Sequence, residues 1–98
     1  MSIKLVEFAK FFKTNVEGAL KLNMRNVGTV TLSCTSVFTL QPLLSQTGSI
    51  NFHLPMILTN DDDKNLAIAV FAGMSDGLYY FMCFANNDAD ITFNVWQE

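Results

Sequence analysis

The spacing of apolar residues changes once along the chain, and the change divides the chain into two parts. Over residues 2–22 the apolar positions follow a period of four and three, which is the spacing of a helix that packs one face against other elements. Ser2 is placed to cap this helix, and the pattern stops near Leu22 or Asn23. The sequence therefore predicts an N-terminal helix within residues 1–24, whose apolar seam is Leu5, Ala9, Phe12, Val16 and Ala19.

From residue 28 onward the period becomes two, which predicts an antiparallel β domain over residues 25–98. Residues 29–40 form one half-solvated strand or two strands that meet near Thr35 and Ser36. A loop is expected over residues 41–49, where Pro42 and Gly48 interrupt the pattern. Residues 49–58 alternate again, and Pro55 makes them an edge strand or one that bends. The last strand, residues 91–98, is expected to turn Ile91, Phe93 and Val95 inward.

Residues 66–73 and 78–85 are two apolar runs joined by Ser75, Asp76 and Gly77. Asp-Gly between strand-like runs is a strong hairpin signal, because both residues accept the positive φ that tight turns require. The second run has no polar face, since Tyr79, Phe81 and Cys83 alternate with residues that are also apolar. Those other residues are Leu78, Tyr80, Met82 and Phe84.

One set of this run is expected in the domain core and the other against a partner chain or the helix. Burying four large side chains contributes roughly 6–12 kcal/mol, which is comparable to the stability of a whole domain. Burial between subunits is favoured, and it gives the expected oligomer interface as Leu5, Phe12, Val16, Tyr80, Met82 and Phe84.

Two arrangements fit the order of one helix and about six antiparallel strands. The first is a mainly β fold, with the N-terminal helix followed by a small β-sandwich or jelly-roll-like head. The second is an α+β fold, in which a curled antiparallel sheet wraps around the helix. The two-sided apolar run favours the first, because the outer face of a central strand in a curled sheet would meet water.

Composition narrows the classes of function. The 98 residues form one domain, half of them are hydrophobic, and the formal net charge is -3 with six Lys and Arg. This balance argues against a nucleic-acid surface, which needs a basic patch. No apolar run is long enough to span a membrane, and the N-terminus lacks the pattern of a signal peptide. Cys34 and Cys83 are expected to be buried thiols, or a disulfide if their strands are neighbours.

Candidate chemistry is sparse, and no catalytic residue, metal site or cofactor is predicted. The single histidine, His53, excludes metal sites that need two histidines within one chain. The acidic turns around Asp62 and Asp88 are expected to be solvated. Candidate ligand-binding residues are Trp96 with its neighbour Asn94, and Tyr79 with Asp76 of the adjacent turn, because aromatic rings stack on sugars while amides and carboxylates bond their hydroxyls.

The β part also carries a set of short motifs, "RNVGTVTLSC", "QPLLSQTGS", "INFHLP", the "DG" turn and the final "ITFNVW". In this order they resemble the C-terminal heads of phage tail fibres and receptor-binding proteins. The resemblance implies a non-enzymatic homotrimer whose helix ends a stem and whose heads bind a saccharide or protein on the host surface. It also implies a virion component that is made in the host cytoplasm. The alternative is a small cytoplasmic α+β binding or inhibitor protein without catalytic activity.

Overall fold

The computed structural model describes residues 5–62, 64 and 66–98. Its N-terminal helix is α-helical over α1 (Leu5–Phe12), π-helical over Lys13–Glu17, and α-helical again over α2 (Gly18–Leu20). The strands that follow are β1 (Arg25–Cys34), β2 (Thr39–Leu44), β3 (Gln46–Thr47), β4 (Ile50–Asn51), β5 (Met56–Thr59), β6 (Ala67–Ser75), β7 (Leu78–Ala85) and β8 (Ala89–Gln97). None of the described helices is long and apolar enough to cross a membrane.

The six longer strands form two antiparallel sheets of three strands each. The first sheet has the order β1-β8-β5 and the second the order β2-β7-β6, while β3 and β4 pair as a small separate hairpin. Side chains from both sheets share one core, with Phe93 and Val95 of β8 among the buried residues and Phe81 and Cys83 of β7 in the same cluster. The mainly β class predicted from the sequence is confirmed, and the helix lies outside the core instead of inside a curled sheet.

The period-two pattern located β1 and β8 of the first sheet well. Val30 and Leu32 point into the core from β1, and Ile91, Phe93 and Val95 do so from β8, as expected. β1 ends at Cys34 and β2 begins at Thr39, so the alternative with two strands is the one observed. The Thr35 carbonyl accepts a hydrogen bond from the Ala85 backbone at 2.7 Å, which ties this break to the end of β7.

Two other segments differ from their predictions. The expected loop over 41–49 begins with strand, because β2 lies at a sheet edge, where Pro42 opposite Tyr80 can be accommodated without a backbone donor. The expected strand over 49–58 is two strands, β4 and β5, separated by residues 52–55. Pro55 lies in this gap instead of bending one continuous strand, and β5, which begins directly after it, is an edge strand, as the first of the two expectations had it.

The predicted hairpin is β6 and β7, joined through Asp76 and Gly77. These two residues have φ angles of 52° and 77°, the positive values that an Asp-Gly turn supplies. β7 is the central strand of the second sheet and β6 is an edge strand.

The N-terminal helix packs against the chain's own sandwich. Phe8 stacks on Phe84 of β7 with ring centroids 6.1 Å apart, and Phe12 contacts the buried pair of Ile68 and Phe84. Two lysines, one in the helix and one directly after it, contact residues in or next to the first sheet. The Lys13 Nζ donates to the backbone carbonyl of Asn60, and the Lys21 ammonium lies 4.6 Å from the centre of the Trp96 ring.

Candidate functional site

The outer face of the second sheet is apolar over most of its extent. In β7 the residues that alternate with the core positions point outward, and the paired residues of β2 and β6 share their side of the sheet. We call this surface the apolar sheet face and define it as Leu40, Pro42, Leu44, Val70, Leu78, Tyr80 and Met82.

This face is open to solvent in the single chain. Leu40 is 56% exposed and Leu44 61%, while Val70 and Met82 are 40% and 38% exposed. Four of the seven are therefore large hydrophobic side chains exposed on one face of one sheet, and monomeric soluble proteins rarely expose contiguous apolar patches larger than roughly 300–600 Å². None of the seven carries a charge. An open depression of about 330 Å³ at one side of the face is lined by Leu40, Ala72, Gly73, Met74, Ser75 and Tyr80.

The predicted interface residues divide between this face and the helix contact. Tyr80 is half-buried and Met82 exposed on the apolar sheet face, where both remain available to a partner. Phe84 is only 3% exposed, because Phe8 stacks on it and Phe38 lies 3.8 Å from it between ring centroids. The assignment of Phe84 to an oligomer interface is therefore wrong.

Phe12 is half-buried in the same contact. The helix and the second sheet of one chain therefore cover residues that were predicted to contact a partner chain. Val16 is also half-buried. The side chain of Leu5 lies outside the part of the chain that the structure describes.

The outer face of the first sheet has the opposite character. We call it the polar sheet face and define it as Thr29, Thr31, Ser33, Asp90, Thr92 and Asn94. Its side chains bond across the strands: the Thr31 and Thr92 hydroxyls are 3.1 Å apart, and the Ser33 hydroxyl donates to the Asp90 carboxylate at 2.9 Å. The Asn94 amide donates to Asp61 at 2.9 Å.

Trp96 and Asn94, both predicted to bind a ligand, lie on this side of the first sheet. The indole N–H of Trp96 donates to the Thr59 hydroxyl at 2.9 Å, and Lys21 lies over its ring. Asn94 accepts a hydrogen bond from the Asn26 amide at 3.3 Å. The structure thus brings the two residues to one face, with one side of the indole ring already in contact with Lys21.

The other predicted pair, Tyr79 and Asp76, does not join them. Tyr79 is 7% exposed in the core, and its hydroxyl donates to the Phe52 carbonyl at 3.1 Å. Its ring cannot stack on a ligand, so this prediction is wrong. The reason is the phase of β7, which turns odd-numbered residues inward. Asp76 is exposed in the β6–β7 turn of the second sheet, away from the polar sheet face.

A third surface lies where the strands of the sandwich end. This end cleft has a volume of about 510 Å³ and is lined by Arg25, Asn26, Val27, Ser49, Ile50, Asn51, His53 and Gln97. Gln97, which is 3% exposed, fixes its wall: the side-chain amide donates to the Asn51 carbonyl at 3.0 Å, and its oxygen accepts from the His53 backbone at 3.1 Å. None of the lining residues is acidic.

The end cleft could not be read from the linear sequence, because its residues come from three separate segments. One signal was present, namely Gly28 after the first residues of β1. Its φ of 147° accompanies a bulge that shifts the register between Asn26 and Gly28. A Cβ at this position would lie 2.5 Å from Ile50 Cδ1, so the glycine lets the β3–β4 hairpin approach β1 closely.

In the described part of the chain, the two cysteines and the histidine lie in different surroundings. Cys34 and Cys83 are both free thiols in the core, at 1% and 0% exposure, on strands of opposite sheets. His53 lies at the surface, where its Nε2 is 3.0 Å from the Glu98 backbone oxygen. Among the described residues, no three His, Cys, Asp or Glu side chains are grouped so that they could hold a metal ion.

Comparison of the chain with protein-family models, curated proteins and solved structures finds no match.

Proposed function

We propose that this protein is a non-enzymatic recognition head that works as a homo-oligomer. The observation that carries the proposal is the apolar sheet face, an uncharged surface that covers most of one side of a small sandwich. In the proposed assembly this face is buried between copies of the chain, and the polar sheet face and the end cleft remain open to a ligand.

The size and chemistry of the face support a second copy as its occupant. A standard interface takes about 800 Å² from each partner, and the apolar sheet face offers four exposed large hydrophobic side chains toward it, Leu40, Leu44, Val70 and Met82. The chain has a net charge of -3, so two copies repel each other through most of their surfaces. Contact through an uncharged face avoids placing like charges against each other.

The resemblance of residues 25–98 to phage tail-fibre heads supplies the biological setting of the proposal. In that setting the protein is a virion component, a trimer is the favoured stoichiometry, and the ligand is a receptor on the host surface, with a saccharide favoured over a protein. Several weak sites on one assembly would act together through their high effective concentration.

A pair of lysine substitutions tests the assembly. Leu40→Lys places a charge on the apolar sheet face, and Thr31→Lys places the same charge on the polar sheet face. Both positions are exposed on edge strands, so the pair controls for the change in charge and for strand propensity. We expect Leu40→Lys to lower the mass measured by light scattering to that of one chain, and Thr31→Lys to leave the wild-type mass unchanged.

Both variants should melt as cooperatively as the wild-type protein, which shows that they fold. If Leu40→Lys folds and keeps the wild-type mass, the apolar sheet face is not the assembly surface. A wild-type protein that is already monomeric would reject the proposal directly.

The packed helix favours a second candidate function. Phe8, Phe12 and two lysines hold the helix on the chain's own sandwich, as in a compact monomer that needs no stem. In this case the protein is a small intracellular binding or inhibitor protein, and the apolar sheet face receives a different protein. The mass measurement separates the two candidates, because this one requires a stable monomer.

The receptor half of the proposal is tested by a glycan array probed with the wild-type protein. We expect retention on a restricted set of saccharides and stronger retention of the oligomer than of the Leu40→Lys monomer. Equal retention of both proteins would show that multivalency does not strengthen binding.

A further inference from the structure

The end cleft combines a fixed wall with unused hydrogen-bond donors. Arg25 is the only arginine of the chain, and it lines this cleft together with Ser49 and Asn51. Among the described residues, no ion pair or hydrogen bond engages the Arg25 guanidinium, the Ser49 hydroxyl or the Asn51 side-chain amide. These hydrogen-bond donors of the cleft are therefore available to a ligand.

The charge of the lining is unusual for this protein. The chain carries nine Asp and Glu against six Lys and Arg, yet the eight lining residues include one cation and no acid. A guanidinium presents a planar fork of donors that matches the two oxygens of a carboxylate. The neutral hydroxyl and amides beside it suit the hydroxyl groups of a sugar.

The walls of the cleft are held in place before any ligand arrives. The buried Gln97 side chain joins the end of β8 to the backbone of Asn51 and His53. The Asn26 side chain accepts from the Gly28 backbone at 2.9 Å and so fixes the bulge beside Arg25. Pre-formed walls reduce the entropy that binding would cost. The volume of about 510 Å³ lies within the range of small-ligand sites.

We propose that the end cleft binds a carboxylate-bearing saccharide, with the Arg25 guanidinium on the carboxylate and Ser49 and Asn51 on sugar hydroxyls. This inference names the ligand class for the recognition role proposed above and rests on it, but it uses a surface separate from the apolar sheet face.

The test is a titration of the ¹⁵N-labelled wild-type protein, followed by NMR, with glucuronate and galacturonate. Glucose and galactose serve as neutral probes of the same ring shape. We expect saturable shifts of the backbone amides of residues 25, 26, 49 and 51 with the two acidic sugars, and no saturable shifts with the neutral ones. Arg25→Gln should weaken binding by about tenfold or more, because it removes a charge-assisted contact.

Lys64→Gln is the matched control, since it removes one positive charge from an exposed position that does not line the cleft, and it should leave the affinity unchanged. Equal shifts with acidic and neutral sugars, an affinity that survives Arg25→Gln, or no shifts with any probe would overturn the inference. The mass of each sample is measured in the same buffer. An oligomer that binds none of the sugars would reject the proposed ligand site in the end cleft but not the proposed assembly. A monomer that binds the acidic sugars would reject the assembly but not the ligand site.

Discussion

At the scale of single residues, Glu17 is the carboxylate whose position has the clearest energetic consequence. It is 8% exposed in the π-helical turn. Burial raises the pKa of Glu17, while the charges of Lys13 and Lys21 partly oppose this effect and Asp61 adds to it. The folded protein therefore holds this proton more tightly than the unfolded chain does.

The expected result is a loss of stability with rising pH. Between the unfolded pKa near 4.5 and the raised folded pKa, the native state binds more protons, so the free energy of unfolding falls as pH increases through this window. Glu17→Gln should flatten this dependence and unfold at a higher denaturant concentration than the wild type at pH 7. Urea melts at several pH values measure the effect, and Glu7→Gln on the exposed side of the helix controls for the lost charge. Identical pH profiles for wild type and Glu17→Gln would refute the prediction.

Cys34 and Cys83 give a second prediction at this scale. Each thiol donates to a backbone carbonyl of its own strand, Cys34 to Leu32 at 3.8 Å and Cys83 to Phe81 at 3.6 Å. The adjacent Cys34 thiol, together with burial, raises the pKa of the Cys83 thiol far above its usual range. A protonated, buried thiol is a poor nucleophile. We expect a thiol reagent to label neither cysteine in the native protein and both after unfolding in denaturant. Rapid labelling of native protein would contradict the structure.

At the scale of elements, the helix contact can be tested with two neighbouring phenylalanines. Phe12 is half-buried against Ile68 and Phe84, while Phe11 is 57% exposed on the same helix. Phe12→Ala should reduce the free energy of unfolding by about 1–2 kcal/mol, which is less than the 3–5 kcal/mol of a fully buried Phe. Phe11→Ala should change it by less than about 0.5 kcal/mol. Urea denaturation measures both, and equal effects would mean that the helix does not dock on this face.

The elements also show how far sequence patterns reach. Alternation located β1 and β8, because one face of each is apolar and the other polar, whereas β7 was located as an uninterrupted apolar run after the turn at Asp76 and Gly77, which has strong local preferences. The segment around Pro42 differs from its predicted loop, since local signals do not reveal that β2 lies at an edge, where proline is tolerated. The short pair β3 and β4 depends on tertiary contacts in the same way.

The candidate sites also divide into features that the local sequence pattern predicts and features that depend on strand pairing. The apolar outer side of β7 was visible in the sequence, because no polar residue interrupts residues 78–84. The contributions of Leu40 and Leu44 were not, since they depend on the pairing of β2 with β7. The prediction that Tyr79 binds a ligand is wrong, because a run that is apolar on both faces does not show which face is buried in the core. The end cleft depends wholly on topology.

At the scale of the whole molecule, the two sheets give the sandwich two unlike sides. The first sheet exposes hydroxyl, amide and carboxylate groups that bond to one another, while the second exposes aliphatic and aromatic side chains. An uncharged apolar face of this size is costly in water and prone to non-specific association unless a partner covers it. Assembly of copies through this face would leave the polar sheet face and the end cleft on the outside.

The central claim is that this face is buried between copies, and the mass of the wild-type protein in solution tests it most directly. Multi-angle light scattering over a wide concentration range should give a constant mass that is a whole multiple of the 11.0 kDa chain, with three chains favoured. A constant mass of one chain at every concentration would contradict the account.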